Sequence, residues 1–571
     1  MQLARRLRLP AILCALSVLL CELISRPYAE MGIADDRSFL WTAQQLATTG
    51  HLLYNGWATP ILGWQVYLGA AFLKLFGNSL TAARMSTLLV AMLLAFLLQR
   101  TFVRVALSER NATLGTLALV LSPLYLTLSV TFMTDICGLF AIVACVYGCL
   151  RVLQASTTNA AIAWLCFAVV SNAIFGTVRQ IAWLGVLVVV PSTLWLLRAQ
   201  RRVLLSGAAA TLAGATFVLA CVHWFKQQPY SIPEHLIVGN FSIKLLVGHL
   251  LHTFLDIPLL LLPIMALFLP QLRKTTRKQL LLLAGIFVCY LLSAAHAHRP
   301  LFLEPTSPDH FGINVHGMFD FTELKGEQPI LLSVWAQVLL TLISIGGLLG
   351  IIASRLSARS PSNTADSQAL SWKQLLTLLV PFAAVYTLLL FPRAATLEIF
   401  ERYTLALLVV ALIFLLRYYQ DRVRAQIPFA VLPLILLMAI LGVAITHNTF
   451  AFYRARITLA NELNAAGIPD TSVDNGWEYN FGVQLRHAGF INDSRIVIPA
   501  HAYVPAPPLP TASCDMFFYD ETPVIRPLYG VSFDPTGCYG PTPIAPVHYS
   551  RWLARGPGTL YVLQYSQHGR P

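Results

Sequence analysis

The sequence predicts an all-α polytopic membrane protein that carries a small mixed α/β domain at its C-terminal end. Three observations lead there. Of 571 residues, 57% are hydrophobic and 11% charged, whereas a soluble domain carries about 25% charged residues. Mean hydropathy is +0.66. The apolar residues fall in runs near the ~20 residues that cross a bilayer. Past residue 446 the composition turns polar and proline-rich ("VPAPPLPT", "GPTPIAPVHY"). The expected domains are therefore 1–446 in the membrane, with interfacial helices in an outer loop at 26–79, and 447–571 outside it.

About thirteen spans are expected, at 9–25, 80–99, 112–131, 136–153, 160–177, 181–198, 203–222, 245–269, 279–296, 330–353, 374–391, 404–419 and 428–446. The first follows a basic head and lacks a small-x-small cleavage site, as in an uncleaved signal anchor. Segment 60–76 is also apolar but ends in "KLFGNS". Treating it as interfacial, with the N-terminus cytoplasmic, puts twenty Lys and Arg on the cytoplasmic side and eleven opposite before residue 447. Counting it as a span would reverse every later loop and put "QLRKTTRK" outside, against the positive-inside rule. The lean outer loops fit a bacterial inner membrane.

The C-terminal region should open with a helix at "YRARITLANELNAAG" and hold strands at "SRIVIPA" and "TLYVLQY". It also contains Cys514 and Cys538, a candidate disulfide pair in an oxidising compartment and two free thiols otherwise. The other eight cysteines lie in apolar runs and read as small packing residues. Net charge is +13. The cations recur between apolar runs rather than along a polar face, which speaks against a nucleic-acid partner.

Chemistry concentrates at the outer ends of spans. "ADDRSFLW" places Asp35 and Asp36 at the start of an amphipathic helix, where acids also serve as plain caps. Asp135 stands alone between apolar runs in "SVTFMTDICGLF"; an ionisable group at membrane depth is costly, so it is a candidate for function or for a cap. Arg179, in the short turn "IFGTVRQIAW", calls for a carboxylate or phosphate partner. "FERYTLALL" opens a late span with Glu401, Arg402 and Tyr403; simple snorkelling of Arg402 is the alternative. His296, His298, His310 and His316 match no standard metal spacing. No Gly-rich phosphate loop, HExxH or GxSxG motif is present.

The stretch "ADDRSFLWTAQQLATTGHLLYNGWATPILGWQVYLGAAFLKLFGNSLTAARMSTLL" resembles the opening of the membrane glycosyltransferases of the GT-C fold. Protein O-mannosyltransferases and lipid A aminoarabinose transferases belong to that group. The matching positions are Asp35, Asp36, Phe39, Pro60, Gly77 and Arg84, then Ser122, Pro123 and Asp135. A basic residue near Arg179 and the "RY" of Arg402 and Tyr403 also fit. The likeness covers roughly residues 9–200 and leaves out the C-terminal domain. Asp36 stands where the family carries Glu, and "ATP" around Pro60 departs from the His-Pro-Pro of the mannosyltransferases.

The resemblance implies a GT-C-like fold and a polyprenyl-phosphate sugar as donor. A glycan, lipid or protein would be the hydroxyl acceptor. It implies catalytic roles for Asp35 as general base, Asp36 as its tuning neighbour and Asp135 as an orienting group. Arg84, Arg179, Arg402 and Tyr403 would bind substrate. No cofactor is implied, and a divalent cation is compatible with the acids but not indicated. The competing classes are a transporter or flippase, which would bury charge at the bilayer midplane in repeated halves, a non-catalytic scaffold for surface-glycan assembly, and a polysaccharide polymerase or ligase resting on outer-loop Arg and His. The sequons at Asn240 and Asn492 bear on function only in a eukaryote.

Overall fold

The computed structural model describes residues 8–57, 59–233, 240–296, 315–318, 324–356, 370–396, 399–508, 516–536 and 539–565. The chain is a multi-pass membrane protein of packed helices capped by a small sheet domain. In chain order the helices are α1 (Leu9–Ser25), α2 (Asp36–Thr49), α3 (Gly63–Phe76), α4 (Leu80–Arg104), α5 (Glu109–Val120), α6 (Pro123–Ser129), α7 (Thr134–Leu153) and α8 (Thr158–Phe175). They continue with α9 (Val190–Leu196), α10 (Arg201–Lys226), α11 (Ile243–Leu260), α12 (Leu262–Ala266), α13 (Arg277–His296) and α14 (Val334–Leu356). The last four are α15 (Trp372–Ala394), α16 (Leu405–Tyr418), α17 (Leu432–Ala465) and α18 (Trp477–Ala488). Among the described residues, eight helices are long and apolar enough to cross a bilayer, or nine if one bent pair counts as a span.

That bent pair is the expected span 112–131, which divides into α5 and α6 at an angle of 68°. Pro123 causes the break. It disfavours helical geometry at Ser122, whose hydroxyl instead caps α6 by accepting from the Tyr125 amide at 3.3 Å. Segment 60–76 forms α3, 14 residues long. At 1.5 Å per residue it reaches about 21 Å, short of the ~30 Å hydrocarbon layer. The expected span 181–198 is broken: 3₁₀ and π turns at Gln180–Trp183 and Gly185–Val189 precede α9. Asn172 satisfies the backbone freed there, donating to Ala182 O at 3.0 Å and accepting from the Val186 amide at 2.8 Å.

The expected boundary at 446/447 falls inside α17, which runs unbroken for 34 residues. "YRARITLANELNAAG" is therefore the end of this helix rather than a separate first helix of the domain. Hydropathy reports where a bilayer would end, and no proline after Pro433 stops the helix there. The sheet order is β1-β2-β5-β3, with β4 also pairing β5, for strands β1 (Val473–Asp474), β2 (Tyr529–Ser532), β3 (Tyr539–Pro541), β4 (Val547–Tyr549) and β5 (Gly558–Tyr565). "TLYVLQY" lies in β5 as expected. "SRIVIPA" forms no strand. Asp493 folds back on Arg495, accepting from its amide at 2.8 Å, and such local bonds compete with ladder pairing.

The domain is locked to α17 by polar and aromatic contacts. Asn448 accepts from the Trp552 amide at 2.6 Å, and Phe452 stacks on Phe533 with centroids 5.5 Å apart. Arg456 and Tyr453 both donate to the buried Glu478 of α18, the arginine at 3.1 Å. Asn492, one of the two sequon asparagines, is buried and donates to Val504 O and Asp520 O, each at 2.7 Å. Cys514 and Cys538 lie outside the described residues.

Glu30 caps α4. Its carboxylate accepts from Ser79 Oγ at 2.6 Å, the Leu80 amide at 2.8 Å and Thr81 Oγ1 at 2.9 Å. Burial pushes its pKa up, but these hydrogen bonds outweigh burial and hold it below the usual carboxylate value. A depressed carboxylate pKa gives stability above the unfolded value of about 4.3, lost as pH falls through the folded one. Glu30→Gln is therefore expected to lower thermal stability in detergent by about 0.5–2 kcal/mol at neutral pH. The deficit should shrink as the buffer is taken below about pH 4; a pH-independent deficit would contradict the cap.

Candidate active site

The adjacent acids Asp35 and Asp36 point to different surroundings. Ala34 takes a left-handed conformation, φ 51°, at a cost of about 1–3 kcal/mol for a non-glycine residue. The turn lets Asp36 reach back, accepting from the Ile33 amide at 2.7 Å. Asp36 is wholly buried and pairs with wholly buried Arg84 of α4, Nε to Oδ2 at 2.8 Å. Arg84 also donates to Ala29 O at 2.7 Å and Met31 O at 2.6 Å. Arg84 was expected to bind substrate. Its buried guanidinium makes four hydrogen bonds to the loop beneath the site.

Asp35 faces the site. It is not a cap, since its side chain takes no hydrogen bond from the helix it precedes. Trp57 Nε1 donates to its Oδ1 at 2.8 Å, and Arg402 reaches its Oδ2 at 3.3 Å. The same arginine approaches Asp135 Oδ2 with Nε at 3.8 Å. Asp135, in the first turn of α7, binds Arg179 through Oδ1 at 2.5 Å. One guanidinium thus bridges Asp35 and Asp135 across 100 residues of sequence.

The backbone around each member is pinned. The Phe132 amide donates to Asp36 Oδ2 at 3.2 Å, and Gln65 donates to Phe132 O at 3.0 Å and Met133 O at 3.2 Å. These bonds fix the strand-like segment that delivers Asp135. Arg179 occupies an extended break, φ −157°, between two 3₁₀ turns. Its guanidinium lies 4.6 Å from the Tyr403 ring centroid. Tyr403 is held through its carbonyl by Tyr386 Oη at 2.8 Å. Arg402 lies 4.4 Å from the Phe400 ring.

Of the expected site residues, the structure brings together Asp35, Asp135, Arg179, Arg402 and Tyr403, and sets Asp36 and Arg84 behind them. Two neighbours were not expected. Arg393 lies 5.1 Å from the Tyr403 ring; its signal was the cation in "FPRAATLEIF", just before the Arg402 motif. Trp57 links Asp35 to an aromatic cluster in the C-terminal domain, with ring centroids 4.6 Å from Phe481 and 5.4 Å from Phe518. Nothing in "YNGWATP" revealed that contact, because its partners lie more than 400 residues away.

A cavity of about 20 Å³ sits against Asp135, Arg179, Tyr386 and Arg402. A second, apolar cavity of about 10 Å³ lies between α7, α15 and α16 and shares Leu139, Ile142 and Ala406 with the first. On the domain side an open cleft of about 630 Å³ is lined by Leu324, Lys325 and residues 516–521. Among the described residues no group of three or more His, Cys, Asp and Glu is arranged to hold a metal. His298 and His310 lie outside the described residues.

No family model matches the sequence, and no curated protein matches it. Solved structures do. ArnT from Cupriavidus metallidurans bound to undecaprenyl phosphate is similar over 98% of this chain and 99% of that one, at 15% identity and a TM-score of 0.40. The Saccharomyces cerevisiae O-mannosyltransferase Pmt1-Pmt2 complex bound to its sugar donor is similar over 37% of this chain at 15% identity, TM-score 0.28; the match spans 31% of that chain. Archaeoglobus fulgidus oligosaccharyltransferase AglB, with an inhibitory peptide and a dolichol-phosphate, is similar over 79% of this chain and 59% of its own, at 13% identity and TM-score 0.38.

The two acids should separate experimentally. Removing one partner of a buried ion pair strands the other, at about 3–5 kcal/mol. Asp36→Asn and Arg84→Met are each expected to lower the melting temperature in detergent sharply. The double variant should be less harmed than the sum, because no charge is left alone. Asp35→Asn should stay within about 1 kcal/mol of the parent. Equal losses for Asp35→Asn and Asp36→Asn would refute this division of labour.

Proposed function

We propose that the protein is an inverting glycosyltransferase that moves a sugar from a polyprenyl-phosphate carrier to a hydroxyl acceptor at the outer face of a membrane. The observation that carries this reading is the bridging of Asp35 and Asp135 by Arg402, with Arg179 on the second acid. It gathers a candidate base and two phosphate-binding cations in one half-buried cluster.

In this reading Asp35 takes the proton of the acceptor hydroxyl. The freed oxygen lone pair attacks the anomeric carbon, and the bond to the phosphate oxygen breaks on the opposite face, inverting the centre. The electron pair ends on the carrier phosphate. Such a leaving group needs positive charge where negative charge accumulates, and Arg179 and Arg402 supply it. Asp135 holds both guanidinium groups in position. Tyr403 carries the Arg179 side chain on its ring face and can hold it when a phosphate draws it away from Asp135. Asp36 and Arg84 act as positioning residues for the loop. The carrier's prenyl chain would follow the apolar line from Leu139 and Ile142 between α7, α15 and α16.

This reading goes with a cytoplasmic N-terminus, residues 447–571 outside, and a bacterial inner membrane. Nucleotide sugars stay in the cytoplasm, so transfer on the far side requires a lipid-borne donor. The sugar and the acceptor are open to assay.

Two expectations follow from the chemistry. General-base catalysis contributes about 10²–10⁴-fold. Membranes carrying Asp35→Asn, given radiolabelled polyprenyl-phosphate sugars, should therefore lose transfer by at least about a hundredfold while the protein still folds. Full transfer by this variant would sink the assignment. Arg179→Gln should weaken donor use, seen as a raised donor KM; an unchanged KM with normal kcat would remove Arg179 from the phosphate site.

A further inference from the structure

Arg37 has no place in the mechanism above, yet the fold is shaped around it. Two glycines give way to its side chain. A Cβ on Gly32 would lie 2.3 Å from Arg37 Cβ, and one on Gly482, within α18, would lie 3.1 Å from its Nε. Glycine inside a helix costs roughly 0.5–1 kcal/mol relative to alanine, so the opening in α18 is not free. The slot joins the first loop to the C-terminal domain, one residue from the Phe481 that packs on Trp57.

Among the described residues the guanidinium in this slot has no hydrogen-bond or ion-pair partner. The charges that act on it most strongly among the described residues are committed elsewhere. Asp36 is bound to Arg84, Glu30 caps α4, and Arg486 is paired with Asp470 at 2.8 Å. Burial, and after it the facing charge of Arg486, pull the pKa of Arg37 down to about 10. A partly buried arginine among other arginines, without a counter-ion, is a standing cost that an anion would offset.

We propose that Arg37 forms an oxyanion site between the first loop and α18, which holds a phosphate or carboxylate borne by the acceptor. The role for the acceptor rests on the transfer reaction proposed above; the oxyanion site does not. Arg37 is two residues from Asp35 on the domain side. An acceptor anchored there would lie on the domain side of the first loop, at a residue close to the candidate base in sequence. The donor phosphate and the acceptor anion would then occupy different arginines.

Phenylglyoxal labelling of the full-length protein in detergent, mapped by peptide mass spectrometry, tests this at the residue itself. Sodium phosphate is compared with sodium chloride at equal ionic strength, and with acetate and phosphatidic acid in mixed micelles. At about ten times its Kd, phosphate should slow labelling of Arg37 roughly tenfold. Protection by phosphatidic acid alone assigns the site to a lipid headgroup; protection by free phosphate or acetate as well assigns it to oxyanions generally. Equal labelling under all four conditions overturns the proposal. Arg37→Gln is a second reading: in chloride it should melt no lower than the parent, and a large loss would mark Arg37 as a packing residue and overturn the site. Asp35→Asn should keep the protection. Protection in a protein without transfer activity would leave the oxyanion site standing and remove its acceptor role, whereas active transfer with unprotected Arg37 would sink the site alone.

Discussion

The buried pair of Asp36 and Arg84 is the contact on which the site depends. In a bilayer the helices gain little from hiding apolar faces from one another, because lipid is as apolar as leucine. Directional polar contacts must then fix which helix sits where. This pair fixes three pieces at once. Arg84 belongs to α4 and gathers the carbonyls of Ala29 and Met31. Asp36 gathers the amides of Ile33 and Phe132. The residue after the Ile33–Ala34 turn is Asp35, and three residues beyond Phe132 stands Asp135. An ion pair this deep carries a large desolvation cost. The cost is offset because the carboxylate receives four donors, two from Arg84 and two from backbone.

Much of this was legible in the sequence. Most expected spans coincide with single helices, since apolar runs of the right length have few other ways to satisfy their backbone in lipid; 112–131, 181–198 and 245–269 are divided, and eight or nine of the described helices are long and apolar enough to cross a bilayer against about thirteen expected. Asp35, Asp135, Arg179 and Arg402 were singled out because a charge beside an apolar run has to be justified, Tyr403 came with the "RY" of the resemblance, and the five converge. What stayed hidden was direction. Nothing in "ADDR" says which carboxylate turns inward; the left-handed Ala34 decides it. Arg84 entered only through the resemblance, as a substrate-binding cation, and only the fold shows its four hydrogen bonds to Asp36, Ala29 and Met31. The 446/447 boundary falls within a helix because hydropathy marks a change of solvent, which a helix of 34 residues can cross without ending.

The C-terminal domain bears on the site through aromatic rings rather than charge. Trp57 hydrogen-bonds Asp35 with its indole N–H and turns its ring to Trp477, Phe481 and Phe518. Indole suits this junction: one polar tip serves the carboxylate while the body is apolar. The arrangement orients Asp35 without adding a second charge that would compete with Arg402. It also couples the proposed base to the domain whose cleft opens nearby, so that movement of the domain relative to α2 would be felt at Asp35 Oδ1.

The charge balance of the cluster explains why its arginines are surrounded by rings. Asp35 and Asp135 set two carboxylates against the guanidinium groups of Arg179 and Arg402. A phosphate entering as proposed would take the place of a carboxylate on one of these guanidinium groups. If carboxylates were the only contacts, that exchange would leave an arginine free to collapse elsewhere. Phe400 and Tyr403 prevent this. Their faces lie 4.4 Å from Arg402 and 4.6 Å from Arg179, and cation–π attraction of roughly 0.5–2 kcal/mol persists while the anionic partner changes. In the proposed reaction the same exchange would free Asp35 from Arg402, so that donor binding and release of the candidate base would be linked through one side chain.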